Sequence, residues 1–111
     1  MTEYGRIHAD IERLTSPSRL KPEEWAAFIE KAKIKKQDIA RMLCVEPETL
    51  SRILKGKACS VAVEKLFRLI MVCELTRHDT DEDGQFTRTI EQAVALKAIC
   101  SLELKYLELV K

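Results

Sequence analysis

The sequence predicts an all-α domain of five to six helices. Apolar residues recur at helical spacings of three and four along most of the 111-residue chain. Proline or a small polar residue stands before several of these segments, where helices begin, and glycine follows one of them. A composition of 46% hydrophobic and 33% charged residues is that of an ordinary globular chain. We therefore expect one packed helical domain.

The first two helices are predicted from their apolar spacing and their ends. Residues 1–19 are expected to form an N-terminal helix or arm, whose apolar positions are Tyr4, Ile7, Ile11 and Leu14. Ser16-Pro17-Ser18 stops this pattern. The second helix is predicted to begin at Pro22, followed by two glutamates that the helix dipole favours. Its buried stripe is predicted to be Trp25, Phe28, Ile29 and Ala32.

Two short helices are predicted next, one over residues 36–43 and one that begins at Pro47. Their inward residues are expected to be Ile39, Ala40, Leu43, Leu50, Ile53 and Leu54. Gly56 is expected to end the second of them, as glycine commonly does at the carboxyl ends of helices. Two short helices joined by a turn, with the small Ala40 where they approach, describe a helix-turn-helix within a domain over residues 20–76.

The C-terminal half is predicted to contain two longer helices. Ser60 is expected to cap the first, over residues 61–76, which is apolar nearly all round and must be covered on several sides. A polar loop then leads to a long C-terminal helix, which Thr87 or Thr89 is expected to cap. Residues 77–111 are expected to pack with the helix-turn-helix domain in one compact unit. Its apolar face is predicted to be Ile90, Val94, Ile99, Leu102, Tyr106, Leu109 and Val110.

Two questions remain open in this half of the chain. Residues 102–106 also alternate as a strand does, although the predominance of Leu, Glu and Lys favours helix. The apolar surface of residues 66–75 and 90–110 is expected to form a dimer interface, or alternatively an intramolecular core.

A set of motif positions lies within residues 36–57: Ile39-Ala40, Leu43, Val45, Thr49-Leu50-Ser51-Arg52-Ile53 and Gly56-Lys57. On these residues the segment resembles the lambda-repressor-like (Cro/XRE) family of DNA-binding domains. The family pattern has an aliphatic–Ala pair, an aliphatic residue before a turn glycine, an aliphatic–Ser pair and a closing Gly–Lys. Residues 60–69 also look like the helix that follows the motif in antitoxin-type members, so the similarity covers about residues 22–75.

Three features depart from that family pattern. Cys44 stands in place of the turn glycine, which implies a non-glycine residue in the left-handed conformation. Lys36 replaces a glutamine that binds phosphate in the family, a change that keeps a phosphate contact. Glu46-Pro47-Glu48 stands where the family commonly presents Ser, Thr, Gln or Arg to the bases. Phosphates repel glutamate, whereas cytosine N4 in the major groove can donate a hydrogen bond to it.

The resemblance implies that the chain binds double-stranded DNA as a small transcriptional repressor. The residues expected to read bases are Glu48, Thr49 and Arg52. Those expected to bind the DNA backbone are Lys35, Lys36, Lys55 and Lys57. For Arg52 the alternative is a surface ion pair with Glu48, four residues earlier. A homodimer is expected, because two recognition helices would then enter successive major grooves about 34–36 Å apart.

The distribution of charge supports this interpretation better than its total does. The formal net charge is only +1. Residues 31–57 contain eight basic and three acidic residues, a local excess of +5, while residues 1–30 carry −2 and residues 74–111 carry −3. Cations gathered on the motif are what phosphate binding requires. The alternative is that the lysines at 31, 33 and 35 simply solvate a helix end.

Other classes of site are not expected. No catalytic residues and no cofactor are predicted, because His8 and His78 are the only histidines and no Gly-rich phosphate loop is present. The four cysteines form no Cys-x-x-Cys pair and have apolar neighbours, which predicts reduced, buried thiols and no metal ligands. Residues 79–86 match half of a calcium-binding loop, but Ile90 occupies the closing ligand position, so a solvated acidic loop is favoured.

No membrane span is predicted, since the most apolar stretch, residues 66–75, is far shorter than the roughly 20 residues that a bilayer requires. The N-terminus lacks the features of a secretory signal, so a cytoplasmic location is expected.

The alternative function is a protein-binding module, or an antitoxin that neutralises a toxin, with DNA binding secondary or absent. Glu46 and Glu48 favour that alternative, and the +5 motif favours DNA.

Overall fold

The computed structural model describes the backbone of residues 3–77 and 85–104, and the side chains of residues 9–76 and 91–104. Within these ranges the chain is all-α and contains no strand, which confirms the predicted fold class. The six helices are α1 (Glu3–Thr15), α2 (Pro22–Ala32), α3 (Lys36–Met42), α4 (Pro47–Leu54), α5 (Val61–Arg77) and α6 (Gln85–Cys100).

Helix α5 lies at the centre of the fold and packs against α1, α2 and α6, while α4 packs against α2 and α3. The Trp25 ring of α2 stacks on the Phe67 ring of α5, with the ring centroids 3.9 Å apart and the planes 11° apart. The predicted stripe of α2 is buried in full, and so are Ile39, Ala40, Leu43, Leu50 and Ile53. The α3–α4 pair is therefore held on the core by its apolar side, which leaves the opposite side of α4 to solvent.

A buried ion pair on α5 ties the end of α1 to the centre of the fold. Arg68 is completely buried, Glu64 is 1% exposed, and the Arg68 Nη2 lies 3.0 Å from the Glu64 Oε2. The Arg68 guanidinium also donates hydrogen bonds to the carbonyls of Leu14, Ser16 and Ser18. The last carbonyls of a helix lack intrahelical partners, so Arg68 satisfies groups that α1 cannot satisfy itself. Burial lowers the pKa of Arg68.

A second ionic contact joins α1 to the beginning of α2. The Arg13 guanidinium donates two hydrogen bonds to Glu24, one of them 2.8 Å long between Nη2 and Oε1. Glu24 also accepts a hydrogen bond of 3.0 Å from the Lys21 backbone N–H, as a residue in the first turn of a helix commonly does. The bonds from Arg13 lower the pKa of Glu24 to about 2.

The predicted helix ends are confirmed at some positions and wrong at others. The Ser60 hydroxyl accepts a hydrogen bond of 3.1 Å from the Val63 N–H and caps α5, as expected. Helix α6 begins at Gln85, so Thr87 and Thr89 lie inside it and neither is its cap. Gln92, farther along α6, donates a hydrogen bond of 2.6 Å to the Thr76 hydroxyl of α5.

A long C-terminal helix is not what the structure shows. Helix α6 ends at Cys100, residues 101–103 are not helical, and Leu104 is helical again. The Ser101 N–H is shared between the carbonyls of Lys97 and Ala98. The Ser101 hydroxyl also donates to the Lys97 carbonyl, an interaction by which serine competes with the backbone bonds of a helix. The expected face at Tyr106, Leu109 and Val110 lies outside the described residues.

The prediction of buried cysteines is wrong. Cys44, Cys73 and Cys100 are exposed and Cys59 is half-buried, although all four are free thiols as expected. Apolar sequence neighbours do not bury a helical residue, because successive side chains point about 100° apart around the helix axis. Val72 is thus buried in the core while the adjacent Cys73 faces solvent.

Candidate nucleic-acid interface

The turn between α3 and α4 is a Schellman motif with Cys44 at its left-handed position. Cys44 has φ of 58°, as its place in the family pattern implies. Its N–H donates to the Arg41 carbonyl at 3.1 Å, and the Val45 N–H donates to the Ala40 carbonyl at 3.0 Å. These two bonds satisfy carbonyls that α3 leaves open and fix the direction in which the chain enters α4.

Helix α4 ends in the same way, with glycine at the equivalent position. Gly56 has φ of 114°, a value that L side chains rarely adopt. The Gly56 N–H donates to the Ile53 carbonyl at 3.0 Å, and the Lys57 N–H donates to the Arg52 carbonyl at 2.9 Å. Both helices of the motif therefore have defined ends, and Lys55 and Lys57 are held beside the second one.

The solvent face of α4 carries Glu48, Ser51 and Arg52, and Lys55 continues it. Their spacing of three and four residues places them on one side of the helix, opposite the buried Leu50 and Ile53. Glu48 and Arg52 are exposed, and no ion pair joins them in the described part of the chain. The structure therefore leaves the Arg52 guanidinium open to solvent.

The first turn of α4 explains its two glutamates without reference to a ligand. Glu46 is the N-cap residue, Pro47 is at the first helical position and Glu48 follows it. Negative side chains are stabilised at the amino end of a helix, where backbone N–H groups point outward. Thr49, the third expected base-reading residue, is half-buried beside this turn. The acids at this end of α4 are thus consistent with helix stabilisation as well as with contact to a base.

The cations of the motif are exposed and unpaired among the residues that the structure describes. They are Lys33, Lys35, Lys36, Arg41, Arg52, Lys55 and Lys57. Lys31 differs from them, because its Nζ lies 2.9 Å from the Asp10 carboxylate and 5.7 Å from the centre of the Phe28 ring. Lys31 thus has structural partners. Lys33 and Lys35 are exposed and form no ion pair with a described residue, which fits both phosphate binding and simple solvation of the helix end.

The expected backbone-binding residues lie at two ends of the motif. Lys35 is the N-cap residue of α3 and Lys36 is its first residue, while Lys55 and Lys57 flank the glycine that ends α4. Phosphate oxygens are commonly bound by lysines and by backbone N–H groups at helix amino ends. In the sequence, one pair of lysines therefore precedes α4 and the other pair follows it.

The main polar clusters that sequence analysis missed lie away from this interface. Glu64 and Arg68 are buried, and Arg19 and Arg13 form ion pairs with Glu64 and Glu24. One signal was present in the sequence: Glu64 and Arg68 are four residues apart in a mostly apolar helix, so they lie on one face and can form a pair. The partners at the end of α1 carry no comparable sequence signal, because Arg68 binds their backbone carbonyls.

The described residues contain no cluster of three or more His, Cys, Asp or Glu side chains that could hold a metal ion. The half-match to a calcium loop at residues 79–86 falls mainly on residues that are not described. No described helix has the length and apolar character required to cross a membrane. No protein-family model, curated protein or solved structure matches this chain.

Proposed function

We propose that this protein is a sequence-specific regulator of transcription, a repressor that binds double-stranded DNA as a homodimer in the cytoplasm. The observation that carries the proposal is the set of seven exposed, unpaired cations on and beside a helix-turn-helix. Elsewhere, Arg13, Arg19, Lys31 and Arg68 are each paired with a carboxylate of the same chain, whereas Lys21, Lys65 and Lys97 are scattered cations that form no ion pair with a described residue. Cations left without internal partners are available to neutralise phosphates.

In this proposal α4 enters the major groove and its exposed face meets the base edges. Arg52 donates two parallel hydrogen bonds to a guanine, and Glu48 and Thr49 contact the adjacent bases. Lys35, Lys36, Lys55 and Lys57 bind phosphates on either side and fix the orientation of α4. The resemblance to Cro/XRE domains supports the same assignment, as does the left-handed residue at the turn position.

The proposed dimer uses the outer side of α5. This side carries Ala62, Leu66, Leu69 and Cys73 at helical spacing, opposite the buried Phe67 and Met71. Leu66 is 37% exposed, and Val94 on the neighbouring α6 is 63% exposed. Apolar residues in a continuous stripe favour association, and a two-fold axis would pair the stripe with its own copy. Light scattering on the wild type and on Leu66→Glu tests this step, and a monomeric wild type would contradict it.

Selection of bound sequences from random duplex DNA, followed by salt titration, tests the proposed function. Four phosphate-binding lysines in each protomer predict a slope of log K against log salt of about −3.6, and about −7 for the dimer. We expect an enriched palindromic sequence with this slope. Absence of enrichment together with salt-independent affinity would contradict DNA binding.

Single substitutions separate the proposed roles. Lys36→Gln should reduce the salt slope by about 0.9 per protomer, whereas Lys31→Gln, its matched control, should leave it unchanged because Lys31 is paired with Asp10. Arg52→Lys keeps the charge but loses the two parallel bonds, so it should relax sequence preference at one position by about 1–3 kcal/mol. An unchanged preference would remove Arg52 from the base-reading set.

The second candidate is a protein-binding module or an antitoxin that neutralises a toxin. Glu46 and Glu48 favour it, because both are exposed on the turn of α4 that would face the bases. The apolar stripe on α5 would then contact the partner protein in place of a second copy. A salt-independent complex with a protein encoded beside this chain, in the absence of enrichment from random DNA, would favour this candidate.

A further inference from the structure

A groove of about 1140 Å³ lies beside the interface but on a different side of α4. One wall is the segment 16–21 that connects α1 to α2, and the other is the segment 56–59 that connects α4 to α5. Core residues Leu20, Trp25 and Ile53 also line it. Its volume slightly exceeds the range of roughly 300–1,000 Å³ that is typical of sites for small organic molecules.

The walls of this groove are held in place by hydrogen bonds of the protein itself. Arg19, whose side chain is only 9% exposed, donates to the Glu64 Oε1 at 3.1 Å and to the Cys59 carbonyl at 2.7 Å. The Arg19 side chain thereby joins the two walls. On the other side, Arg13 binds Glu24 and the carbonyl of Arg19. A groove whose walls are already connected needs little ordering when a ligand enters, which favours binding.

The charges along the groove favour an anion. Glu24 and Glu64 line it, but both accept hydrogen bonds from arginines and from a backbone N–H. Lys21 and Lys57 also line it, are exposed and form no ion pair with a described residue. The charged residues that line the groove are four cations, Arg13, Arg19, Lys21 and Lys57, and two carboxylates, Glu24 and Glu64. Their net charge is +2. An anionic group is attracted to these lysines, while the apolar residues between them favour an apolar body.

We propose that this groove binds a small organic anion, with a phosphate or carboxylate group between Lys21 and Lys57 and an apolar body against Leu20, Pro22 and Ala58. The ligand opposes DNA binding, because it uses Lys57, which the proposed function assigns to a phosphate of the duplex. This regulatory step rests on the proposed function, whereas ligand binding itself does not. By linkage, DNA must weaken ligand binding by the same factor as the ligand weakens DNA binding.

Binding is tested on the free protein with 1-naphthyl phosphate, compared with inorganic phosphate and with 1-naphthol. Trp25 is the only tryptophan, so its indole N–H gives a single nuclear magnetic resonance signal at the groove. We expect saturable shifts of this signal and of the Gly56 and Cys59 amides. We also expect 1-naphthyl phosphate to bind at least tenfold more tightly than either of its parts. Equal affinity for inorganic phosphate, or shifts confined to residues 33–36 and 48–55, would overturn the proposal.

Variants locate the anion and separate this proposal from the proposed function. The double variant Lys21→Gln, Lys57→Gln should bind 1-naphthyl phosphate at least tenfold more weakly, while Lys31→Gln and Lys36→Gln should bind it as the wild type does. Equal loss in all variants would overturn the proposal. If the phosphates of the duplex occupy the groove instead, Lys21→Gln will reduce the salt slope of DNA binding by about 0.9. That result, without saturable binding of 1-naphthyl phosphate, would refute the small-ligand site while leaving DNA binding intact.

Discussion

Replacing Cys44 by glycine should stabilise the protein. A residue with a Cβ atom in the left-handed conformation costs about 1–2 kcal/mol, and Cys44 has φ of 58°. Glycine removes this cost but gains about 0.4–1 kcal/mol of conformational freedom in the unfolded chain. Cys44 is exposed, so little apolar burial is lost with its side chain. The difference between these terms is about 0–1.6 kcal/mol, so we expect the free energy of unfolding of Cys44→Gly to rise by about 0.8 kcal/mol, the middle of that range.

Urea denaturation with reductant present, followed by the fluorescence of Trp25, measures this change. A gain of about 0.8 kcal/mol corresponds to a rise in Tm of about 2–5 °C for a domain of this size. Cys44→Ser is the matched control, because serine removes the thiol but keeps the Cβ atom, and it should change stability by less than about 0.5 kcal/mol.

The equivalent position at the end of α4 provides the reverse experiment. Gly56→Ala should destabilise the protein by about 1 kcal/mol, although a Cβ atom at this position would meet nothing within 4 Å. The effect is therefore conformational rather than steric. If Cys44→Gly is no more stable than Cys44→Ser, the strain assigned to the turn is wrong.

Three further predictions concern the ionic contacts and the proposed dimer. Arg68→Met should lower the free energy of unfolding, measured by urea denaturation, by about 3 kcal/mol or more, because carbonyls at the end of α1 and the Glu64 carboxylate lose a buried donor. A loss below about 1 kcal/mol would contradict this. The pKa of Glu24 is lowered to about 2, so its contribution is present above the unfolded-state value of 4.5 and is lost as the pH falls toward 2. Since the Glu24 side chain is 28% exposed, we expect Glu24→Gln to cost only about 1 kcal/mol at pH 7 and nothing near pH 2; a difference that is constant with pH would refute the assignment. Leu66→Glu should convert the proposed dimer to a monomer in light scattering without loss of helical circular dichroism. Lys65→Gln, which changes the net charge by the same −1, serves as the control.

The sequence was most informative where a local pattern determines the structure. The spacing of Trp25, Phe28 and Ile29 determines the buried side of α2, since three- and four-residue intervals lie on one face of a helix. The resemblance also identified the turn well enough to imply a left-handed Cys44, and the structure confirms that conformation. In each case the relevant interactions lie within a few residues along the chain.

Features that depend on contacts distant in the sequence could not be predicted in the same way. Arg68 binds backbone carbonyls more than 50 residues away, and every residue type has such a carbonyl. The end of α6 at Cys100 was missed for a different reason: the bonds of Ser101 beside it are local, but the Leu, Glu and Lys residues that follow favour helix. For the proposed interface, the sequence predicted a cluster of cations on the motif, but only the structure distinguished the paired Lys31 from Lys33 and Lys35.

The attachment of Arg68 to the end of α1 determines how this chain can be divided. A fragment beginning at residue 20 would keep the whole helix-turn-helix, yet it would leave a buried guanidinium without the carbonyls of Leu14, Ser16 and Ser18. It would also remove Arg19, which connects Glu64 to the Cys59 carbonyl. Deletion of an apparently separate arm should therefore unfold the part that it was meant to isolate. For this chain, the smallest unit that can be studied or transplanted includes α1.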